Sequence, residues 1–206
     1  MAAARKPKQE ESFLSFLAEL PLLIVVALAV AVVIKTFLVQ PFYIPSGSMI
    51  PTIEINDRVM VSKLSYWFGE PDRGDVVVFT NPYVLETEGG ESVPEAIVRH
   101  VLEAIGVRTA IADDFIKRVV AVGGDTIEIR DNEVVINGNP LEEPYLNNGS
   151  VMPDRSAEDI PDGYVFVMGD NRSGSQDSRV FGPIPVDNVI GRAFITIWPI
   201  DRWGVL

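Results

Sequence analysis

Cysteine is absent from the 206 residues and histidine occurs once. No disulfide can form, so cysteine usage says nothing about redox compartment. With no thiol and one imidazole, a zinc or iron–sulfur site is not expected, and no metal or cofactor is called for. Basic residues are scarce too: 17 Lys and Arg stand against 29 Asp and Glu, a formal net charge of −12. The imbalance is uneven. Residues 1–40 hold Arg5, Lys6, Lys8 and Lys35 against Glu10, Glu11 and Glu19, leaving 13 basic and 26 acidic residues beyond them. Such a domain repels phosphate backbones, which excludes nucleic acid as a partner. The acidity itself signals only an exposed, soluble surface.

Polar side chains are missing altogether from Leu20 to Ile34, LPLLIVVALAVAVVI. Extended to Val39, the run covers twenty residues with Lys35 and Thr36 as its only interruptions. A helix of that length matches the roughly 30 Å hydrocarbon core of a bilayer. Lys35 can snorkel to the headgroups, and Arg5, Lys6 and Lys8 keep the preceding tail cytoplasmic. The expected layout is a cytoplasmic tail over 1–19, a transmembrane signal-anchor over 20–39 and an extracytoplasmic domain over 40–206. Ala27-Leu28-Ala29 and Ala29-Val30-Ala31 have the small-x-small form of a cleaved signal, but the apolar run continues past them. The uncleaved anchor is therefore preferred.

Beyond the anchor roughly 160 residues remain, enough for one domain with its own core. Strands are expected at RGDVVVFT (73–80), FIKRVVAV (115–122), TIEIR (126–130), EVVI (133–136), YVFVM (164–168) and VIGRAFITIW (189–198). Gly123-Gly124-Asp125, Asp131-Asn132 and Asn137-Gly138 supply turns between them. The fold class is mostly β: an antiparallel coiled sheet or barrel-like domain behind one transmembrane helix. Residues 82–114 form an insertion with a short helix, capped by Ser92 and stopped by Gly106. His100 lies on that helix, and nothing in its surroundings argues for a catalytic base.

The stretch PFYIPSGSMIPT (41–52) places Ser46 and Ser48 around a glycine in a segment stiffened by three prolines. Serine proteolysis needs a hydroxyl, a neutral base touching it and donors for the oxyanion. With His100 set aside, the base is a carboxylate or a lysine. Alternation in FIKRVVAV puts Phe115, Lys117, Val119 and Ala121 on one face, and Arg118 on the other with Ile116, Val120 and Val122. Lys117 thus has apolar neighbours only, and burial lowers the pKa of an ammonium. A lysine snorkelling at a strand edge fits the same pattern. The polar loop GDNRSGSQDSR (169–179) reads either as a long turn or as support for the site, with Ser175 orienting the lysine and Asp177 and Arg179 bracing the loop.

Taken in order, PSGSMIPT (45–52), RGDVVVF (73–79), FIKRVVAVGGD (115–125) and GDNRSGSQDSR (169–179) closely resemble the type I signal peptidase, or leader peptidase, family. The resemblance spans nearly all of the chain outside the insertion. It implies a membrane-bound serine endopeptidase that removes signal peptides from exported preproteins after small-x-small (A-x-A) sites. Under it, Ser48 is the nucleophile and Lys117 the general base. Ser46 and the Ser48 N–H form the oxyanion hole, and Ser175 hydrogen-bonds the lysine. Asp177 and Arg179 form a structural ion pair, with Asp170 at the head of their loop. Phe42, Ile44 and Ile116 line shallow apolar substrate pockets.

The partners so implied are signal peptides and the lipid bilayer, with Tyr66, Trp67, Phe68, Trp198 and Trp203 available either to meet the interface or to fill a core. DRVMVSKLSYWFGEP (57–71) is similar to the thylakoid-type branch, so a thylakoid membrane stands beside the plasma membrane as a location. Two other readings use the same residues: a self-cleaving Ser–Lys repressor, and a membrane-tethered β domain that binds peptides without cutting. The anchor and the acidic balance argue against the first, the full set of dyad residues against the second.

Overall fold

The computed structural model describes residues 19–28, 30, 38–67, 69–80, 114–146 and 150–206. The chain divides into two units, 1–38 and 39–206. In the first, residues 19–28 and 30 are helical, with Leu22, Leu23 and Ile24 exposed. No helix among the described residues is long and apolar enough to cross a membrane. The expected span over 20–39 falls partly outside them, at residues 29 and 31–37. Its last residue, Val39, opens a strand instead.

The second unit is antiparallel β throughout its described pairings. Its strands are β1 (Val39–Tyr43), β2 (Arg58–Ser62), β3 (Val76–Thr80), β4 (Asp114–Val122), β5 (Thr126–Arg130), β6 (Glu133–Ile136), β7 (Asn139–Pro140), β8 (Arg155–Asp159), β9 (Tyr164–Met168), β10 (Ile184–Pro185), β11 (Val189–Trp198) and β12 (Gly204–Val205). Among the described residues, eight strands form one sheet in the order β1-β2-β11-β3-β4-β9-β10, with β12 paired to β11. A second sheet runs β7-β6-β5-β8. The large sheet is open, with β1 and β10 at its ends. Register shifts in β11 against both β2 and β3 mark the bulges that let it coil.

Burial explains why these segments are strands. Val76 and Val78 of β3 enter one core with Phe42, Ile44 and Ile116, while Val77 and Phe79 enter another with Val119 and Val167. Period-two alternation with both faces covered is what a continuous VVVF run needs. A third core joins Val120, Phe166 and Met168 to Ile127, Ile129, Val134 and Ile136 of the small sheet. The turns at Asp131-Asn132 and Asn137-Gly138 have positive φ at both positions, as two-residue antiparallel hairpins require.

Several sequence expectations change here. The insertion was expected to end at Asp114, but that residue opens β4 and pairs with Thr80. The rest of it, with its helix and His100, lies outside the described residues. A register shift between Val119 and Ala121 breaks the expected face of β4, so Ala121 joins Val120 in the third core. β1, β2, β7, β8, β10 and β12 were not expected. Pro41 hid β1, because proline cannot donate to a ladder; β1 tolerates it as an edge strand, paired only with β2. β8 (RSAED) is polar because it too is an edge. Tyr66 is half-buried against the core and bonds Asp75 at 2.9 Å, which favours the core-filling alternative for it. Trp67, Trp198 and Trp203 are exposed, and Phe68 lies outside the described residues.

The bulged strand β11 also makes a close approach. A Cβ on Gly191 would stand 2.3 Å from the Ser62 carbonyl oxygen, which is backbone and cannot swing away. Gly191→Ala is expected to destabilise the domain by about 2 kcal/mol through overpacking. In thermal unfolding that is a fall of about 6 °C.

Candidate active site

Ser48 sits in the turn that follows β1. Met49 and Ile53, just after it, are fully buried, and the Ile53 N–H bonds the Met49 carbonyl at 3.0 Å. Two apolar anchors so close to the serine, each worth about 2 kcal/mol of burial, fix its position from the C-terminal side. Thr52 donates its hydroxyl to Asp170, and Asn171 holds the turn from across the fold. Its N–H bonds the Ser48 carbonyl at 3.0 Å and its Nδ2 bonds the Gly47 carbonyl at 3.0 Å. Gly169 completes the clamp. A Cβ there would lie 2.4 Å from the Ser48 oxygen and 2.3 Å from Ser175 Oγ, so only glycine fits.

Lys117 arrives from β4. Its Nζ donates to Ser48 Oγ at 2.7 Å and to the Ile116 carbonyl at 3.0 Å, and lies 5.6 Å from the Phe115 ring centre. Lys117 and Ser48 are 3 % and 7 % exposed, so water has little access to either. Burial pulls the amine down from its ordinary 10.5 to about 8, although Asp177 and Asp170 favour its charged form. The Ser48 N–H meets no acceptor among the described residues, which leaves it free to donate.

A cleft of about 170 Å³ opens beside this pair, lined by Phe42, Ile44, Ser46, Val78, Ile116 and Lys117. Strands β1 and β4 are not neighbours in the sheet, so coiling is what brings them to one cleft. Ser46 is exposed at this cleft.

A buried serine hydroxyl against a buried amine of lowered pKa is an arrangement that can support serine peptidase chemistry without a histidine. The description "Signal peptidase, peptidase S26" matches residues 17–198 of the sequence. The chain belongs to the signal peptidase family. Signal peptidase I of Mycobacterium tuberculosis is 38 % identical, over 99 % of this chain and 80 % of its own length. Signal peptidase I of Leptolyngbya laminosa is 37 % identical over 99 % of this chain and 89 % of its own, and the thylakoidal processing peptidase 1 of Arabidopsis thaliana 36 % over 85 % and 47 %. A signal peptidase I crystal structure from Enterococcus faecalis V583 aligns with a TM-score of 0.42 at 26 % identity, covering 60 % of this chain and 96 % of that one.

Within this signal peptidase family member, the remaining expected residues divide. Asp177 and Arg179 pair at 2.8 Å, and Asp177 also accepts the Gly169 N–H at 3.0 Å. Asp170 does more than head the loop. Both its oxygens are taken by Arg118, at 2.9 and 2.7 Å, and Arg118 also donates to the Gly74 carbonyl at 2.8 Å. Ser175 departs from expectation. Its Oγ is buried without a hydrogen-bond partner, and the Lys117 amine bonds Ser48 and the Ile116 carbonyl instead. Sequence reasoning missed Arg118, Asn171, Thr52 and Gly169 as parts of the site. Thr52, Gly169 and Asn171 lie inside the quoted motifs, and Arg118 stands out as an arginine on a strand otherwise apolar on that face, but no local signal showed what each would hold.

The environment of Lys117 has a direct readout. By NMR of its side-chain amine, Lys117 is expected to titrate near 8. It is then mostly charged below that pH and mostly neutral above it; a midpoint at the ordinary 10.5 contradicts the buried amine.

Proposed function

We propose that the chain is a membrane-anchored serine endopeptidase that removes N-terminal signal peptides from exported preproteins, with Ser48 as nucleophile and Lys117 as general base. The observation that carries this reading is the 2.7 Å contact between Lys117 Nζ and Ser48 Oγ in a buried, largely apolar site. Neutral Lys117 takes the Ser48 proton as Oγ attacks the scissile carbonyl. The oxyanion that forms is met by the Ser48 N–H and the Ser46 hydroxyl. On collapse, the Lys117 ammonium passes the proton to the leaving amine. It then activates the water that hydrolyses the acyl-enzyme, which restores both groups.

The substrate lies as an added strand. β4 pairs with β3 from Asp114 but with β9 only from Arg118, so among the described residues no strand pairs with the second edge of 115–117 beside the cleft. Phe42, Ile44 and Ile116 leave shallow apolar space suited to alanine-sized side chains, which fits small-x-small sites. Ser48 follows Val39 by nine residues, which limits its reach from the apolar run to about 30 Å. The apolar run before β1 anchors the chain with its N-terminus cytoplasmic and its catalytic domain on the opposite face of the plasma membrane, or of a thylakoid membrane. The exposed Trp67, Trp198 and Trp203 suit contact with the headgroup region.

Incubation with a preprotein separates this reading from a peptide-binding β domain, which yields no shorter product, and from a self-cleaving repressor, which shortens only itself. Ser48→Ala and Lys117→Ala are each expected to lower cleavage by several orders of magnitude with thermal unfolding retained. Normal turnover by folded Lys117→Ala removes the lysine as base. For the wild type, kcat/KM is expected to rise about tenfold per pH unit below the Lys117 midpoint and to level off above it, because only the neutral amine accepts the proton.

Ser46→Ala keeps the backbone donor of the oxyanion hole. Its kcat is expected to fall by about 10²-fold, less than for either dyad variant, with KM little changed. Unchanged kcat takes Ser46 out of the hole.

A further inference from the structure

The loop over 141–146, which leaves the small sheet after β7, reaches the back of the site with two side chains. Glu143 pairs with Arg172, its Oε2 accepting from Nη1 at 2.9 Å, and the Arg172 side chain is completely buried. Tyr145 lays its ring 4.0 Å from the Arg118 guanidinium carbon and donates its hydroxyl to Glu143 at 2.9 Å. Each arginine in turn holds one of two adjacent residues. Arg172 Nε donates to the Gly169 carbonyl at 3.2 Å, and Arg118 grips the Asp170 carboxylate with two bonds. Gly169 is packed against the Ser48 carbonyl, and Asp170 accepts the Thr52 hydroxyl. Arg118 is also the strand neighbour of Lys117. Both halves of the dyad are therefore set against a pair of residues whose arginine partners are covered by this one loop.

We infer that Glu143 and Tyr145 are positioning residues for peptide-bond cleavage, acting through Arg172 and Arg118 to fix the alignment of Ser48 with Lys117. The small sheet thereby takes part in the reaction geometry, although none of its strands reaches the cleft. This inference rests on the signal-peptidase reading of the site. The physical basis is that a buried arginine deprived of its partner shifts toward water or another acceptor, carrying its carbonyl or carboxylate with it. Misplacement of reacting groups by a fraction of an ångström is enough to slow an aligned proton transfer. Leucine at 145 keeps apolar bulk but has no π face for the guanidinium, whereas phenylalanine keeps that face.

The test compares full-length wild type, Ser48→Ala, Tyr145→Leu, Tyr145→Phe and Glu143→Gln on a purified preprotein, with rates taken per folded molecule. Tyr145→Leu and Glu143→Gln are expected to lower kcat about tenfold with KM within about twofold, and Tyr145→Phe to stay within about twofold of wild type. Wild-type kcat in both of the first two, with only thermal stability reduced, overturns the inference, as does a rise in KM alone or a loss in Tyr145→Phe equal to that in Tyr145→Leu. The Lys117 amine titration gives a second readout that needs no activity. The carboxylates that favour its ammonium are Asp170, paired with Arg118, and Asp177, paired with Arg179. Loosening Arg118 in Tyr145→Leu leaves Asp170 less compensated, so the midpoint is expected to move above its wild-type value; an unchanged midpoint overturns the inference. If wild type cuts no more than Ser48→Ala, the proposed function fails, while the titration still decides the role of Tyr145.

Discussion

A charged amine and an apolar enclosure are incompatible, and the site is organised around that conflict. Lys117 is walled in next to Ser48, so its ammonium form loses the hydration that would stabilise it. The amine therefore gives up its proton more readily than an ordinary lysine, which is the property the proposed base role needs. The same enclosure carries a risk, because carboxylates close by would restore the ammonium. Asp170 and Asp177 are both buried in this region, and both act in that direction. Each is paired with an arginine, Arg118 and Arg179 respectively, whose positive charge opposes that pull.

Those arginine pairs also hold the architecture. Breaking one member out of a buried pair costs about 3–5 kcal/mol, since the other charge is left stranded. The pairs therefore stiffen the loop over 169–179, against which the Ser48 turn is clamped by Asn171 and by the missing side chain at Gly169. The large sheet supplies the remaining alignment. Its coil carries β1 and the serine turn toward the first half of β4, and the cleft lies between them. Hydroxyl, amine and cleft thus come from segments tens of residues apart, joined by hydrogen bonds that have no local sequence counterpart.

Much of this was legible beforehand, for identifiable reasons. The strands β5, β6 and β9 match their expected bounds because alternation and turn residues are local signals. Ser48 and Lys117 stood out because each broke its surroundings: a serine among prolines, a cation on an apolar face. Other elements were hidden where two local signals conflict. Pro41 argues against a strand, yet β1 is one because edge strands need fewer donors. The polar β8 has no alternation to detect. Ser175 was expected on the lysine, and its hydroxyl is instead left unpaired, since side-chain rotamers at 48, 117 and 175 are settled jointly by packing.

By itself, the order of residues determined the β class, the apolar N-terminal run, the absence of metal-binding thiols and the two candidates, Ser48 and Lys117, that the proposed chemistry uses. All of these depend on composition or on neighbours a few positions apart. Only the tertiary structure decided that Arg118 compensates Asp170, that Asn171 holds the serine turn, and that Glu143 and Tyr145 close the back of the site. Those contacts join residues up to 124 positions apart, and their formation depends on the coil of the sheet and the stagger of its bulges. Hydrogen-bond and charge pairing act over a few ångströms in space, and spacing along the chain carries no record of which groups will meet there.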